Sequence, residues 1–384
     1  MTYLDHAATA PLRAEVRLAM AEVHAVPLGN PTGSHPPAQR ARRLLEDARE
    51  EVAAFLGRDP GEIVFTSGGT ESDNLAVLGV VEAALRDRGE AEVLCSAVEH
   101  PAVLESARAA SALGAEVREL PVDARGVVDL DALARTLSAR TTVVAVMAAN
   151  NETGVVQPVP EVVEVARRRA PQAYVVTDAV QAAPFLDLAA LTAGADLVAL
   201  SAHKVGGPVG AGALAVSPRV ALVARQYGGG QERERRSGTQ DVAGAVGLAA
   251  ALRQAGTERP VAAPRVAALR DRLCEGLLAA VDGAHRTVPA GVAVLPGHLH
   301  LCLRGVEREE LLVALGAEGV CASGGSSCAS GALEPSHVLA AMGVDRGLAA
   351  GAVRFTLGYS TTDADVDRAL DVVPAVVAAL RRRA

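Results

Sequence analysis

The chemistry of this chain starts from one amine. Lys204 is the only lysine among 37 basic residues, and every other cation of that count is arginine. A guanidinium serves wherever a fixed charge is enough. It stays protonated, however, and only an ammonium can lose its proton and turn nucleophile. Lys204 stands in Ser201-Ala202-His203-Lys204-Val205-Gly206-Gly207-Pro208, directly after the apolar run Leu197-Val198-Ala199-Leu200. A strand ending in a polar, Gly/Pro-rich turn is where α/β enzymes place reacting groups. The chemistry indicated is Schiff-base formation at Lys204. The alternative is a leftover surface lysine in an arginine-biased chain, and the surroundings must decide.

Those surroundings are polar clusters at the ends of apolar runs. Ser67-Gly68-Gly69-Thr70 follows Glu62–Thr66 and leads into a helical stretch. Strand, glycine turn and helix start aim backbone N–H groups at one spot, which suits a phosphate; an ordinary capped turn reads the same way. Glu99-His100 follows Glu92–Ser96, Asn150-Asn151-Glu152 follows Val143–Met147, and Asp178 and Gln181 follow Tyr174–Thr177. Together with Ser201, His203 and Lys204 these would collect at the carboxyl edge of one sheet, where ligands bind. A Schiff-base lysine, an anion cradle at Gly69-Thr70 and an aspartate on a neighbouring strand end make a pyridoxal phosphate site. In it Asp178 would keep the pyridine nitrogen protonated. Gln181 and Asn151 would hydrogen-bond the phenolic oxygen, and His100 would stack on the ring and move protons.

The elements that must position these groups alternate. The pattern predicts helices over 13–26, 38–56, 75–85, 101–113, 130–137 and 161–169, with the strands named above and Glu116–Leu120 between them. Such βα alternation means a doubly wound, mainly parallel sheet. A long Ala/Leu helical region spans roughly 243–280, and the remainder, with strands near Leu299–Leu303 and Val353–Leu357, reads as a smaller α+β domain. The expected division is a large cofactor-binding domain, 16–255, and a small domain formed by 1–15 and 256–384. A chain of 384 residues exceeds what one compact core usually holds.

Composition narrows the partners. Net charge is −8 with interspersed signs, which argues against direct nucleic-acid binding and against a membrane-surface patch. No apolar run approaches a membrane span, and the N-terminus lacks the features of a signal peptide, so a cytoplasmic location is expected. Five cysteines fall in no CxxC pair, so neither a disulfide framework nor a metal site is expected. Cys328 differs from the rest: it lies in the Gly/Ser-rich run Ala322–Gly331 and reads as a working thiol on a loop.

Over nearly its whole length the chain resembles the cysteine desulfurases of the NifS/IscS type, within the class V aminotransferase family. The matching stretches include LDHAATAP (4–11), GNP (29–31), TSGGTESDN (66–74), NNETGVVQ (150–157), SAHKVGGPVGAGAL (201–214), RSGT (236–239), SSCASGALEPSHVL (326–339) and VRFTLG (353–358). The resemblance implies the aspartate aminotransferase-like fold of pyridoxal-phosphate-dependent transferases. Lys204 would bind the cofactor, with Thr70, Ser201 and His203 on its phosphate and Thr239 reaching that phosphate from the second subunit of a homodimer. Asn30 and Arg354 would bind the substrate carboxylate. Cys328 would take sulfur from L-cysteine as a persulfide, leaving L-alanine, and pass it to an iron–sulfur scaffold or a tRNA-thiolation enzyme. The one metal role implied for Cys328 is passing ligation of a cluster during transfer. His6 departs from the Asn or Tyr common in relatives, and SGGSSC (323–328 here) from the usual SSGSAC. The short end after 380 lacks the tail some relatives use for scaffold docking. A selenocysteine lyase or a class V aminotransferase shares the cofactor, although an aminotransferase needs no loop thiol. A binding module with a degenerate pocket would not need Lys204, Asp178, His100 and Arg354 together.

Overall fold

The computed structural model describes residues 1–325 and 336–383. Cys328 lies outside the described residues. The strands, in chain order, are β1 (Thr2–Tyr3), β2 (Ile63–Thr66), β3 (Glu92–Ser96), β4 (Glu116–Leu120), β5 (Thr141–Ala145) and β6 (Tyr174–Asp178). They continue with β7 (Leu197–Ser201), β8 (Gly212–Val216), β9 (Ala284–Arg286), β10 (His298–Leu303), β11 (Val320–Cys321) and β12 (Ala352–Thr356).

A seven-stranded sheet has the order β2-β8-β7-β6-β5-β3-β4. β4, β3, β5, β6 and β7 run parallel to one another, and β8 lies antiparallel between β7 and β2. The inner strands β5 and β7 are buried along their whole length, which is why they read as apolar runs without alternation. β4, at one edge, instead exposes Arg118 and Glu119, charges that discourage pairing with another chain. The parallel run means that β3, β5, β6 and β7 all end on one side. Glu99-His100, Met147–Asn151, Asp178–Gln181 and Ser201–Lys204 therefore gather at a single edge.

Among the described residues, the large sheet is packed by two buried clusters, one of them around Val64, Leu78, Val93, Val143 and Leu214, and a further cluster lies around the smaller sheet. Helices and strands around the large sheet bury Leu45, Val52, Val144, Val198, Leu200, Leu248 and Leu252 in its other cluster. Leu4, Leu269, Leu273, Leu301, Phe355, Val366 and Val373 form the one around the smaller, three-stranded sheet β12-β10-β9. The helix Val242–Ala280 belongs to these last two, contributing Leu248 and Leu252 to the former and Leu269 and Leu273 to the latter. The N-terminal strand β1 crosses to the latter by pairing with β11.

One helix begins earlier than its apolar pattern predicts. The structure starts it at Gly69, not at Leu75. Polar residues occupy its first turns, since the unpaired N–H groups there favour oxygen-bearing side chains over apolar ones. Before it, Gly68 has φ of +151°, and a Cβ on Gly212 would lie 2.6 Å from Gly68 Cα. The start of β8 thus presses directly on the turn, which only glycine permits.

A buried ion pair ties the helix Pro36–Leu56 and the segment after β8 to the edge strand β2. Arg49, on the helix Pro36–Leu56, donates to Glu232 at 2.7 and 2.9 Å and to the carbonyl of Ile63 at 2.8 Å. Glu232 also accepts from the Phe65 N–H at 2.9 Å. Both side chains are almost fully enclosed, at 3% and 1% exposure. Removing one charge from such a pair strands the other in a poorly solvating interior. Glu232→Gln is expected to cost roughly 3–5 kcal/mol of unfolding free energy in urea titrations. A loss below about 1 kcal/mol, the size of an exposed pair, would contradict this.

Candidate active site

Lys204 ends a single helical turn, Ala202–Lys204, that caps the carboxyl end of β7. Its Nζ donates to the carbonyls of Ala7 at 2.6 Å and Ala8 at 2.8 Å. Two neutral acceptors from a remote segment therefore hold the amine in place. The same segment reaches Gln181, whose Nε2 donates to the Ala7 carbonyl at 2.9 Å, and His203, whose Nδ1 lies 3.1 Å from Thr9 Oγ1.

A cavity of about 320 Å³ opens above these groups. Gly69, Thr70, His100, Asn151, Asp178, Gln181, Ser201, His203, Lys204 and Arg354 all line it, so ten residues singled out from sequence meet in one space. Asn30 and Thr239 do not. Asn30 is exposed and accepts through Oδ1 from the Thr32 N–H and hydroxyl. Thr239 is exposed on the segment after β8 and faces a separate pocket with Arg236 and Asp241. Cys328 lies outside the described residues.

Arg354 sits at the centre of β12, 2% exposed. It donates to the Asn151 carbonyl at 2.7 Å and pairs with Asp5 at 2.8 Å, while its Nε has no partner among the described residues. A guanidinium held in this way keeps N–H capacity for a carboxylate arriving in the cavity.

The wall behind the cavity is acidic. Atoms of Asp73, His100 and Asp178 lie within 4.8 Å of one another, and Asp73 Oδ1 is buried with no partner among the described residues. Sequence reasoning gave Asp73 no role. It sits on the Gly69–Arg88 helix, and only the packing of that helix on the sheet turns it toward Asp178. Burial raises the Asp178 carboxyl above its ordinary value, opposed by His100, the Val180 N–H at 2.9 Å and Lys204. Burial likewise raises Asp73, with the negative charges of Asp178 and Glu99 adding to it. His100 accepts from the Ala102 N–H at 3.1 Å through Nδ1, which places the neutral ring's proton on Nε2. Burial lowers its pKa, against the pull of Asp178. His203 is pushed down to about 4 by burial and by the Lys204 charge.

These residues fit pyridoxal phosphate. Buried carboxyls with an unmet acceptor call for a cation, and a protonated ring nitrogen is one. The start of a 20-residue helix offers N–H groups to a phosphate beside Thr70, Ser201 and His203. Met147 and Val180 supply apolar wall for a ring.

Comparison with known proteins points the same way. The family described as Aminotransferase class-V matches residues 2–369. A Mycobacterium tuberculosis protein named IscS-like cysteine desulfurase is 43% identical over 392 residues, spanning 100% of this chain and 98% of its own. A Dictyoglomus turgidum protein named Cysteine desulfurase IscS is 40% identical over 379 residues, spanning 99% and 95% respectively. A solved structure titled NifS-like protein matches with a TM-score of 0.92 and 35% identity, covering 98% of this chain and 99% of that one.

The acidic wall makes a pH prediction. Burial pushes Glu99 from its ordinary 4.5 up to about 8, although Ser96 and the Met147 N–H hydrogen-bond it. Between those values the folded chain holds a proton that the unfolded chain releases. This contribution to stability is therefore full below 4.5 and disappears as pH rises through 8. Buried histidines such as His6, at about 4, act in the opposite sense, but only below 6.5. Between pH 6.5 and 8, Glu99→Gln should lose less stability than the parent, by up to about 1.4 kcal/mol per pH unit, in urea midpoints. Equal slopes in parent and variant would rule out Glu99 as a buried proton carrier.

Proposed function

The chain belongs to the class-V aminotransferase family, and from that membership we propose that it is a pyridoxal-phosphate-dependent cysteine desulfurase, taking sulfur from L-cysteine and leaving L-alanine. The observation that carries this reading is the convergence of the sole lysine, a buried aspartate and a helix-start cradle in one cavity.

Lys204 would hold the cofactor, with Asp178 against the ring nitrogen and His100 over the ring. Asn151 and Gln181 would serve the phenolic oxygen, and Gly69, Thr70, Ser201 and His203 the phosphate. When bound, the group supplies an electron-withdrawing ring that weakens the Cα–H and Cβ–S bonds of the substrate. Arg354 would take the substrate carboxylate. Its enclosure, and an Nε without a partner among the described residues, support this role, whereas Asn30, exposed and engaged with Thr32, has no such support in a single chain. Lys204 and His100 would move protons at the substrate, His100 being neutral and so able to accept one on protonation of Nδ1 if its cap bond opens.

Cys328 would be the nucleophile that takes sulfur. The balance is simple: its thiol sulfur bonds the substrate sulfur, the Cβ–S bond breaks, and Cβ gains the proton needed to make alanine. Thiolate is the attacking form, so its proton must first leave, to His100 or the substrate amine. The resulting persulfide would go to a protein acceptor such as an iron–sulfur scaffold or a tRNA-thiolation enzyme in the cytoplasm. We also read the chain as a homodimer in which Thr239 serves the second subunit's phosphate. Its exposure away from its own cavity supports this. The division into 16–255 and 1–15 with 256–384 is supported by the two buried clusters that the Val242–Ala280 helix joins.

Two variants test the reading. Borohydride treatment should fix pyridoxyl mass on the peptide holding Lys204 and on no peptide of Lys204→Ala. Cys328→Ser should keep the cofactor's absorbance yet lose roughly a thousandfold or more in alanine release and all sulfur adducts at residue 328 by mass analysis. Sulfur transfer that survives in Cys328→Ser would sink the nucleophile assignment.

A further inference from the structure

Glu71 presents an electrostatic difficulty. It lies in the first turn of the Gly69–Arg88 helix, and its Oε2 accepts from the Ser67 N–H at 2.7 Å. That bond fixes the turn from which the cradle opens. A carboxylate at this place nevertheless sets a negative charge beside the positive helix end that would receive a phosphate, cancelling part of its attraction.

The structure supplies a counter-charge from far away in sequence. Arg236 Nε donates to Glu71 Oε1 at 2.8 Å and Nη2 lies 3.4 Å from Oε2, with both side chains largely enclosed at 19% and 23% exposure. The segment carrying Arg236 is held tightly. Glu232, Arg233 and Glu234 have φ of 46°, 56° and 64°, a left-handed run that costs about 1 kcal/mol or more per residue. The buried Arg49–Glu232 pair offsets that strain and pins the segment to β2. Beyond it, Ser237 Oγ donates to the Gly229 carbonyl at 2.6 Å and the Gly238 N–H to Gln231 at 3.0 Å. The other nearby acid, Asp241, accepts from the Gly244 N–H at 2.9 Å as the cap of the long helix. Arg236 therefore faces Glu71 by construction.

We propose that Arg236 is a positioning residue for the cofactor phosphate: it neutralises Glu71, so that Glu71 can hold the turn without repelling the anion in the cradle. Neither residue lines the cavity, so both act through the turn and its field. The inference rests on the reading that the cradle holds the phosphate of pyridoxal phosphate.

The full chain, stripped of cofactor, is titrated with pyridoxal phosphate and separately with pyridoxal, which lacks the phosphate. Arg236→Gln should weaken pyridoxal phosphate binding roughly tenfold and leave pyridoxal binding unchanged. Glu71→Gln, which keeps an acceptor for Ser67, should bind as well as the parent or better. The double variant should return to within about twofold of the parent, because the two charges are removed together. An unaltered Arg236→Gln, an equal loss for pyridoxal, or a double variant as weak as Arg236→Gln would each overturn the proposal. The last result would mean that Arg236 contacts the phosphate itself. A parent chain that binds pyridoxal phosphate no better than pyridoxal would instead refute the cradle reading beneath it.

Discussion

A buried wall of carboxyls short of counter-charge is the constraint on which this structure turns. Asp178 and Asp73 face each other across a short gap with His100, and Glu99 lies behind them. Burial penalises carboxylates strongly unless a cation or hydrogen-bond donors meet them. The wall obtains part of what it needs from Lys204, His100 and backbone N–H groups. A cofactor carrying a protonated ring nitrogen would complete it. Such a site would favour a ligand that brings a positive charge to it, which is how perturbed carboxyls come to mark functional sites.

The fold meets this constraint with parts drawn from the whole chain. Parallel strands deliver Asp178 and Lys204 to one edge, since each ends on the same side of the sheet. The N-terminal segment crosses from the core of the smaller sheet to supply the Ala7 and Ala8 carbonyls that hold the amine. β12, from that same core, brings Arg354 to the opposite wall. Relative movement of this core and the large sheet would therefore alter the amine's acceptors and the distance from Lys204 to Arg354 together. Lys204 and Arg354 are linked through the N-terminal segment, whose Ala7 and Ala8 carbonyls accept from the amine and whose Asp5 carboxylate pairs with the guanidinium.

Strain and enclosure balance in the segment after β8. Three consecutive left-handed residues are costly, and a bidentate buried pair with Arg49 holds them in place. Buried pairs of this kind contribute more to defining a geometry than to net stability. Here the geometry defined includes Arg236 against Glu71 and the outward presentation of Thr239. A surface loop with ordinary turns would place neither reliably.

Much of this was legible in residue order. A single lysine among arginines, the polar residues ending successive apolar runs, and the βα alternation identify the sheet edge, because strand periodicity and topology rules act locally and need no tertiary knowledge. The early start of the Gly69–Arg88 helix was not legible, since a polar first turn looks like loop when helix is judged by apolar spacing. Nor were the roles of Asp73, the Ala7 and Ala8 carbonyls, or the Arg236–Glu71 pair. Each depends on contacts between segments separated by scores to hundreds of residues, and backbone carbonyls carry no sequence signature at all. Residue types alone decided which chemistry this chain can perform, because an amine and a thiol have reactivities nothing else in it shares. The three-dimensional packing decided which charges face one another, because burial and distance, absent from any one-dimensional string, set the energy of every ionised group.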